Sequence, residues 1–419
     1  MQFISQLVAL QKKYKSLSES ILSLSFLQLA NMILPLITLP YLIKILGVDN
    51  YGIYVFAYSV CNYFNTIIDY GFRLNGTRDV ALNRNNPKAL SAIISKILYS
   101  KFLLTIISIV ILSATLPLFN KYNQSYSIFY FSFLVVLFTS LFPDWFFQGM
   151  EKMRFITILN LVSKLLFTIA IFIFIKSPGD YILVPLIGAI GAFVAMTGAW
   201  WIILVQMKLK FIRQRTSGII IAIKESTPLF LNNLFPILYN NTSSFLLGMF
   251  GTPAQLAYFG AAQRIVEAIG TTAIRILSQT FFPYLNVQKG QSKAVGKIFF
   301  FSGLILSVFF IIFAPLIVKY LFTEDFNQSV WLIRIMGLSV LFYAINDNYG
   351  TNYLLINRKD KLLMRISMVV SFIGLSIAFP LIFFFKHWGA AFTILFSRML
   401  FASVVYYFAK KIELSTKSN

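Results

Sequence analysis

Long apolar runs alternate with short polar connections along nearly the whole chain. Windows of about 19 residues predict twelve helical spans, near residues 20–46, 51–73, 95–118, 126–148, 155–176, 181–206, 219–247, 255–279, 298–320, 330–356, 363–385 and 388–409. Each run is close to the roughly 20 apolar residues that cross a hydrocarbon core as a helix. Composition agrees: 58% of the 419 residues are hydrophobic and 12% are charged, against about a quarter charged in soluble domains. The expected fold class is therefore an all-α membrane protein with twelve transmembrane helices.

The net charge of +22 raises nucleic-acid binding, but the cations gather in short clusters between the apolar runs rather than forming one patch. That distribution argues against a nucleic-acid partner and instead sets orientation, because Lys and Arg accumulate on the cytoplasmic side. Twenty-four cations fall in the N-terminal segment, in the connections after spans 2, 4, 6, 8 and 10, and in the tail; the alternate connections hold only Lys121, Lys176, Lys319 and Lys386. Both termini are expected in the cytoplasm. The segment MQFISQLVALQKKYKSLSES precedes an apolar run too long for a signal-peptide core and lacks a small-residue cleavage site, so it reads as a retained leader. Cys61 is the single cysteine and His387 the single histidine, which excludes an intrachain disulfide and a multi-cysteine metal site. His387 is expected at the membrane surface, and no cofactor, metal or catalytic residue is expected.

The two halves echo each other. Asn31 and Pro35 in span 1 correspond to Asn232 and Pro236 in span 7, and Gly47 to Gly248, all at an offset of 201; GMEKMRF from Gly149 and NRKDKLL from Asn357 repeat the ends of spans 4 and 10. Such weak symmetry marks transporters built from repeats. The expected organisation is a leader (1–19), an N-terminal six-helix lobe (20–210), a linker (211–218), a C-terminal six-helix lobe (219–409) and a tail (410–419), with a substrate cleft between the lobes.

Eight cations remain inside or at the edges of spans: Lys44, Lys101, Lys164, Lys224, Arg264, Arg275, Arg334 and Arg398. A cation in hydrocarbon costs about 2.5–3.5 kcal/mol on insertion scales, so such groups turn toward protein or water and tend to serve a pathway. At about 100° per residue, Arg264, Glu267, Thr271, Arg275 and Ser278 share one narrow face of span 8, and Asn62, Asn65, Asp69 and Arg73 share one face of span 2. Arg264 and Glu267, three apart, could simply neutralise each other; Arg275 has no such carboxylate on its own helix. Lys164 and Arg398 lie near mid-span, where snorkelling to either interface is difficult. A cavity lined by surplus cations suits an anion, and the planar guanidinium suits phosphate. Asn31, Asn62, Asn65 and Asn232 offer amides for sugar hydroxyls, although interhelical hydrogen bonding explains them equally well.

Four stretches carry a family resemblance: LPLITLPYLIKILGVDNYGIYVFAYSV (Leu34 to Val60), IIDYGFRLNGTRDVA (Ile67 to Ala81), PDWFFQGMEKMRFIT (Pro143 to Thr157) and YLLINRKDK (Tyr353 to Lys361). With these the chain resembles the O-antigen flippases of the polysaccharide-transporter branch of the multidrug, oligosaccharidyl-lipid and polysaccharide exporter superfamily. The resemblance implies the two-lobed fold shared with multidrug exporters of the MATE type. It also implies movement of an undecaprenyl-pyrophosphate-linked repeat unit from the cytoplasmic to the periplasmic leaflet of the inner membrane by alternating access. Membrane lipids, a polymerase and a chain-length regulator are the partners it implies. Helical geometry, not motif match, then suggests roles: Arg73, Arg78 and Arg275 in a cytoplasmic vestibule, Arg264 and Lys164 holding pyrophosphate near the midplane, and Glu267 and Asp69 in ion or proton coupling, with Arg398 a further candidate for binding substrate.

Other readings fit less well. A multidrug exporter uses an intramembrane acid in span 1 or 7, whereas here span 1 has none and span 7 has only Glu225 near its start. A membrane polymerase or glycosyltransferase needs a large outer loop, and every outer connection here is short. GQSKAVGKI (Gly290 to Ile298) has the wrong spacing for a phosphate loop and Ile298 where Ser or Thr should stand, so an ATPase is excluded. A flippase for capsule or another glycan would look much the same as one for O-antigen.

Overall fold

Lipid offers backbone groups no hydrogen-bond partner, so a chain crossing it closes its hydrogen bonds within helices. The computed structural model describes residues 2–287 and 292–417, and these are helical almost throughout, with no strand among them. The helices are α1 (Gln2–Asp69), α2 (Phe72–Leu82), α3 (Pro87–Thr115), α4 (Tyr126–Leu141), α5 (Asp144–Gly149), α6 (Met153–Phe174) and α7 (Leu183–Trp201). They continue with α8 (Thr216–Phe250), α9 (Pro253–Ile265), α10 (Thr272–Val287), α11 (Ser292–Leu321), α12 (Ser329–Asn346) and α13 (Asp360–Lys417). Eight helical stretches among the described residues are long and apolar enough to cross a membrane. This is a multi-pass membrane protein.

α3 shows why the elements face as they do. Its buried positions are Ser91, Ser95, Ser100, Lys101, Thr105 and Ser108, together with Leu90, Ile94, Ile97, Leu104 and Leu112, whereas Phe102, Leu103, Ile106, Ile107, Val110 and Ile111 are exposed. The polar groups are inside and the large apolar ones outside, the reverse of a helix in water. The hydroxyls return to their own helix: Ser95, Ser100 and Thr105 donate to the carbonyls of Ser91, Lys96 and Lys101 at 2.7, 2.9 and 2.8 Å.

Breaks occur where the sequence allows them. α1 bends at Gly47, whose φ of 72° and ψ of 176° suit a residue without Cβ. Asn50 Nδ2 donates to the Leu46 carbonyl at 3.2 Å, covering an acceptor that the break would expose. The matching Gly248 lies instead within α8, where a Cβ would collide with the Phe56 ring; the repeated glycine serves close packing there, not a bend. Asn86 caps α3 by accepting from Ala89 N at 3.1 Å, with Pro87 in the first turn. Thr252 and Gln255 form a reciprocal capping box at the start of α9.

The predicted span over 126–148 is divided. Phe142, immediately before Pro143, is extended (φ −65°, ψ 123°), as a residue preceding proline prefers, and the short α5 restarts beyond it. The predicted span over 51–73 is also divided, by Tyr70 (φ 44°) and Gly71 (φ 78°) ahead of α2. α13 contains two predicted spans separated at Lys386, with φ 50° and ψ −125°. π-helical turns occupy Ile202–Gln206, Val266–Thr271 and Asp347–Leu355.

Two compact units emerge. One comprises residues 1–34, 61–174 and 182–233; its core gathers Phe72, Val80, Ile94, Ile97, Trp145, Phe146, Phe147 and Ala199 from α2, α3, α5 and α7. The other comprises residues 35–60, 175–181 and 234–419, with a core patch of Leu354, Ile366, Val370, Val405 and Ala409. Residues 35–60 of α1 thus cluster with the C-terminal half of the chain: Phe56 stacks on Phe245, and Tyr51 meets the edge of Phe326.

His387 departs from its expected surface position. It is buried, with its ring 6.2 Å from that of Tyr258 and 5.4 Å from that of Trp388, because the reversal at Lys386 turns the next residue into the aromatic layer.

Gly71→Ala tests the break between α1 and α2. Its left-handed φ penalises a side chain by about 1–2 kcal/mol, and the new Cβ would lie 2.7 Å from Leu229 Cβ. The variant should unfold at a lower temperature in detergent than the parent; an unchanged midpoint would refute the account of this turn.

Candidate functional site

In the first unit the polar face of α1 is tied down by α3 and α4. Lys101, only 3% exposed, donates from Nζ to Asp69 Oδ1 at 3.1 Å and to the Ser140 carbonyl at 2.7 Å. Ser140 Oγ then donates to Asn65 Oδ1 at 2.8 Å. Asn65 and Asp69 are therefore joined in one network, with the carboxylate matched by a buried ammonium. Asn62 is half-buried on the same arm of α1. The predicted continuation of that stripe to Arg73 is interrupted, since the turn at Tyr70 and Gly71 puts Arg73 on α2. There its Nε lies 2.9 Å from Asp144 Oδ2 of α5 and its side chain is 56% exposed. Arg78 is exposed on α2, and Lys164 is half-buried in α6.

Two further pairs decorate this unit: Arg84 with Glu151 at 2.8 Å, and Lys96 with Glu225 at 3.3 Å. Asn31 and Asn232, expected to bind sugar, have side chains outside the described residues.

In the second unit, Arg264 lies in the last turn of α9 and Glu267 is the second residue of the π-helical turn Val266–Thr271. The guanidinium of Arg264 lies 4.8 Å from the ring centroid of Tyr58. Tyr51, Tyr54 and Glu267 complete its electrostatic surroundings, the tyrosines sharing one face of α1 at spacings of three and four. Glu267 is positioned by a relay in which Ser244 Oγ contacts Gln263 Oε1 at 3.1 Å and Gln263 Nε2 donates to Glu267 Oε1 at 2.8 Å. The carbonyl of Glu267 accepts from both Thr271 Oγ1 and Thr272 Oγ1, at 3.0 and 2.9 Å.

The π turn changes the predicted stripe. The 100° wheel assumed an unbroken α-helix, whereas i→i+5 bonding inserts an extra residue and rotates every side chain beyond it. Arg275 consequently has different main neighbours from Arg264, its guanidinium lying beside Tyr343 and near Asp347, while Glu267 is in the surroundings of both. Arg398 of α13 approaches the same tyrosine, with its guanidinium 5.3 Å from the Tyr343 ring centroid and Nη1 donating to Ser339 Oγ at 2.9 Å. Ser278 and Asn352 meet at 3.3 Å beside them, and Thr351 Oγ1 donates to Asp347 Oδ1 at 3.1 Å. Tyr343 thus brings Arg275 and Arg398 together, which spacing along the sequence did not reveal.

The residues missed in the sequence are the partners. Asp144, Tyr343 and Asp347 lie on other helices, as does Lys101, which the sequence marked as an in-span cation without its partner, and nothing in their own neighbourhoods announces the pairing. The Tyr51, Tyr54 and Tyr58 face was legible from its helical spacing.

An all-helical, multi-pass protein with cations on inward faces matches the polysaccharide biosynthesis protein family over residues 17–289, well over half of the chain. It belongs to that family. Two curated relatives are similar along their whole length. One, from Escherichia coli (strain K12) and described as a candidate O-antigen transporter, is 25% identical over 95% of this chain and 98% of its own. The other, from Shigella dysenteriae with the same description, is 26% identical over 92% of this chain and 98% of its own. The relatives so described are transporters, not enzymes.

Solved structures show the fold family. An inward-facing multidrug resistance MATE family transporter of the MOP superfamily superposes with a TM-score of 0.71 at 14% identity, covering 96% of this chain and 99% of that one. The lipid II flippase MurJ in an inward closed conformation gives 0.69 at 13% identity, covering 93% and 87%.

The Asp69 to Lys101 pair yields a double-mutant test. Removing one partner of a buried ion pair costs about 3–5 kcal/mol, whereas replacing both can be close to neutral. Asp69→Asn and Lys101→Met should each lower the thermal midpoint well below that of the double variant; additive losses would show that the pair is not coupled.

Proposed function

We propose that this protein is a flippase for O-antigen repeat units linked to a polyprenyl pyrophosphate, moving them from the cytoplasmic to the periplasmic leaflet of the inner membrane. The proposal takes twelve crossings in two six-helix lobes with both termini cytoplasmic, and alternating access through a cationic cavity. Family membership and the full-length relatives support the class of cargo. The observation that carries the chemistry is Arg264: among the described residues its guanidinium is stacked on an aromatic ring rather than locked in an ion pair within 4 Å. Ring stacking engages the flat face of a guanidinium and leaves its in-plane N–H donors for a phosphate.

Roles divide by pairing. Arg264 would hold the pyrophosphate, Lys164 would be a further cation for the cargo, the tyrosine face of α1 would pack against the glycan, and Arg275 and Arg398 would form a second cationic station at Tyr343. Arg78 is an exposed receptor for the incoming headgroup; the charge of Arg73 is largely met by Asp144. Glu267, presented by Gln263, is the favoured coupling acid. At Asp69, coupling would require the pair with Lys101 to break. Asn62 and Asn65 would offer amides to sugar hydroxyls, as would Asn31 and its repeat counterpart Asn232.

The test is complementation of a strain lacking this flippase. A charge-assisted hydrogen bond contributes about 1.5–3 kcal/mol, so Arg264→Ala or Arg275→Ala should lower surface polysaccharide by roughly ten- to a hundredfold while membrane abundance and thermal midpoint stay at parental values. Arg264→Lys should recover only part of the activity if planar donor geometry matters. Normal polysaccharide from both alanine variants would overturn the assignment.

A further inference from the structure

α11 and α13 both pack along α12, and Gly303 brings α11 close: a Cβ there would lie 2.7 Å from Ala344 Cβ and 3.1 Å from Leu341 Cα. Where the first turns of α11, the end of α12 with its π-helical extension, and the last turns of α13 meet, the second unit contains a cavity of about 690 Å³. This lies within the roughly 300–1,000 Å³ usual for small-molecule sites. Its wall is apolar and aromatic, formed mainly by Phe300, Phe342, Ile345, Tyr349 and Tyr406, and Lys297 and Lys410 also line it. None of these residues belongs to the arginine stations described above.

Three observations separate this cavity from a packing defect. First, its wall runs out to the apolar flank of the unit: Phe300, Phe301 and Tyr406 are 43%, 56% and 44% exposed. Second, its two cations come from segments that the charge distribution assigns to the cytoplasmic side, the connection after span 8 and the tail. Third, Lys410 lines the cavity with Nζ 2.7 Å from Glu413 Oε2 and 5.9 Å from the Tyr406 ring centroid. An ammonium has three donors, so the bond to Glu413 leaves others for a ligand, and the exposed Lys297 adds charge that Glu413 does not cancel.

We infer that this cavity binds an anionic glycerophospholipid of the cytoplasmic leaflet, one acyl chain lying along Phe300, Phe342, Ile345 and Tyr406 and the phosphate held at Lys297 and Lys410. With about 30 Å³ per small heavy-atom group, as for water in the liquid, the cavity holds roughly twenty heavy atoms, enough for one fatty acyl chain while the second lies on the exposed flank of Phe301 and Tyr406. Basic pockets between helices on the cytoplasmic side are a general means of recognising anionic headgroups. The site is independent of the flippase reading, since it uses neither the arginine stations nor cargo.

The test uses the full-length purified protein and two photoreactive lipids with the same diazirine-bearing acyl chain, one a phosphatidylglycerol and one a phosphatidylcholine. Peptide mapping should place phosphatidylglycerol crosslinks on residues 297–301, 342–349 and 402–410. At about 1 kcal/mol per lysine near an anionic headgroup, it should label these roughly five- to thirtyfold more than the choline lipid. The double substitution Lys297→Ala, Lys410→Ala should remove that preference. Ser403→Phe, at an exposed position in the wall, should fill the site and reduce labelling by both lipids. Equal labelling by the two lipids in the parent protein, labelling no stronger here than at Phe384 on the exposed apolar surface of α13, or displacement of the phosphatidylglycerol by unlabelled polyprenyl phosphate at lower concentration would each overturn the inference. Binding is read without transport, so its failure is distinct from failure of the proposed function.

Discussion

The structure depends on one constraint: outside this protein there is no water for a polar group to meet. Spanning helices therefore bury many of their serines and threonines among other helices while leaving large apolar side chains exposed on their flanks. α3 makes the inversion explicit, with Lys101 and a row of hydroxyls buried while Phe102, Ile106 and Val110 are exposed. Each buried polar group then needs a partner on the protein. The ion pairs, hydroxyl-to-carbonyl bonds and tyrosine-supported guanidiniums are different answers to that requirement.

The answers differ in how much charge they leave available. Lys101 and Asp69 satisfy each other, with Ser140 completing the ammonium and linking it to Asn65. Such a pair fixes helix positions but exerts little pull on an anion. Arg264 rests on Tyr58 and Arg398 on Tyr343, and a ring face stabilises a cation without neutralising it. On the proposed function, cations held in this second way suit a headgroup that is first received and later released.

Helix irregularities decide which cations share a neighbourhood. The π-helical turn Val266–Thr271 separates Arg264 from Arg275, and the facing turn Asp347–Leu355 carries Asp347 next to Arg275. π turns concentrate at functional positions because the extra residue re-aims side chains and loosens backbone bonding. Two of the three among the described residues border the Arg275 and Tyr343 cluster.

The amino-acid sequence alone determined the environment, the helical class and the approximate span positions, since these depend on how much apolar surface each segment carries and where the cations fall. It also marked Arg264, Arg275 and Arg398 as costly residues needing a reason. Tertiary structure alone decided the partners. That Asp69 is matched by Lys101, that Arg73 turns onto α2 and meets Asp144, that His387 is buried, and that Arg275 and Arg398 converge on one tyrosine all depend on helix contacts between residues far apart in the chain. Periodicity reads the energy of one helix against its surroundings; it carries no information about which neighbour supplies those surroundings, or where one inserted residue will rotate the rest of the helix.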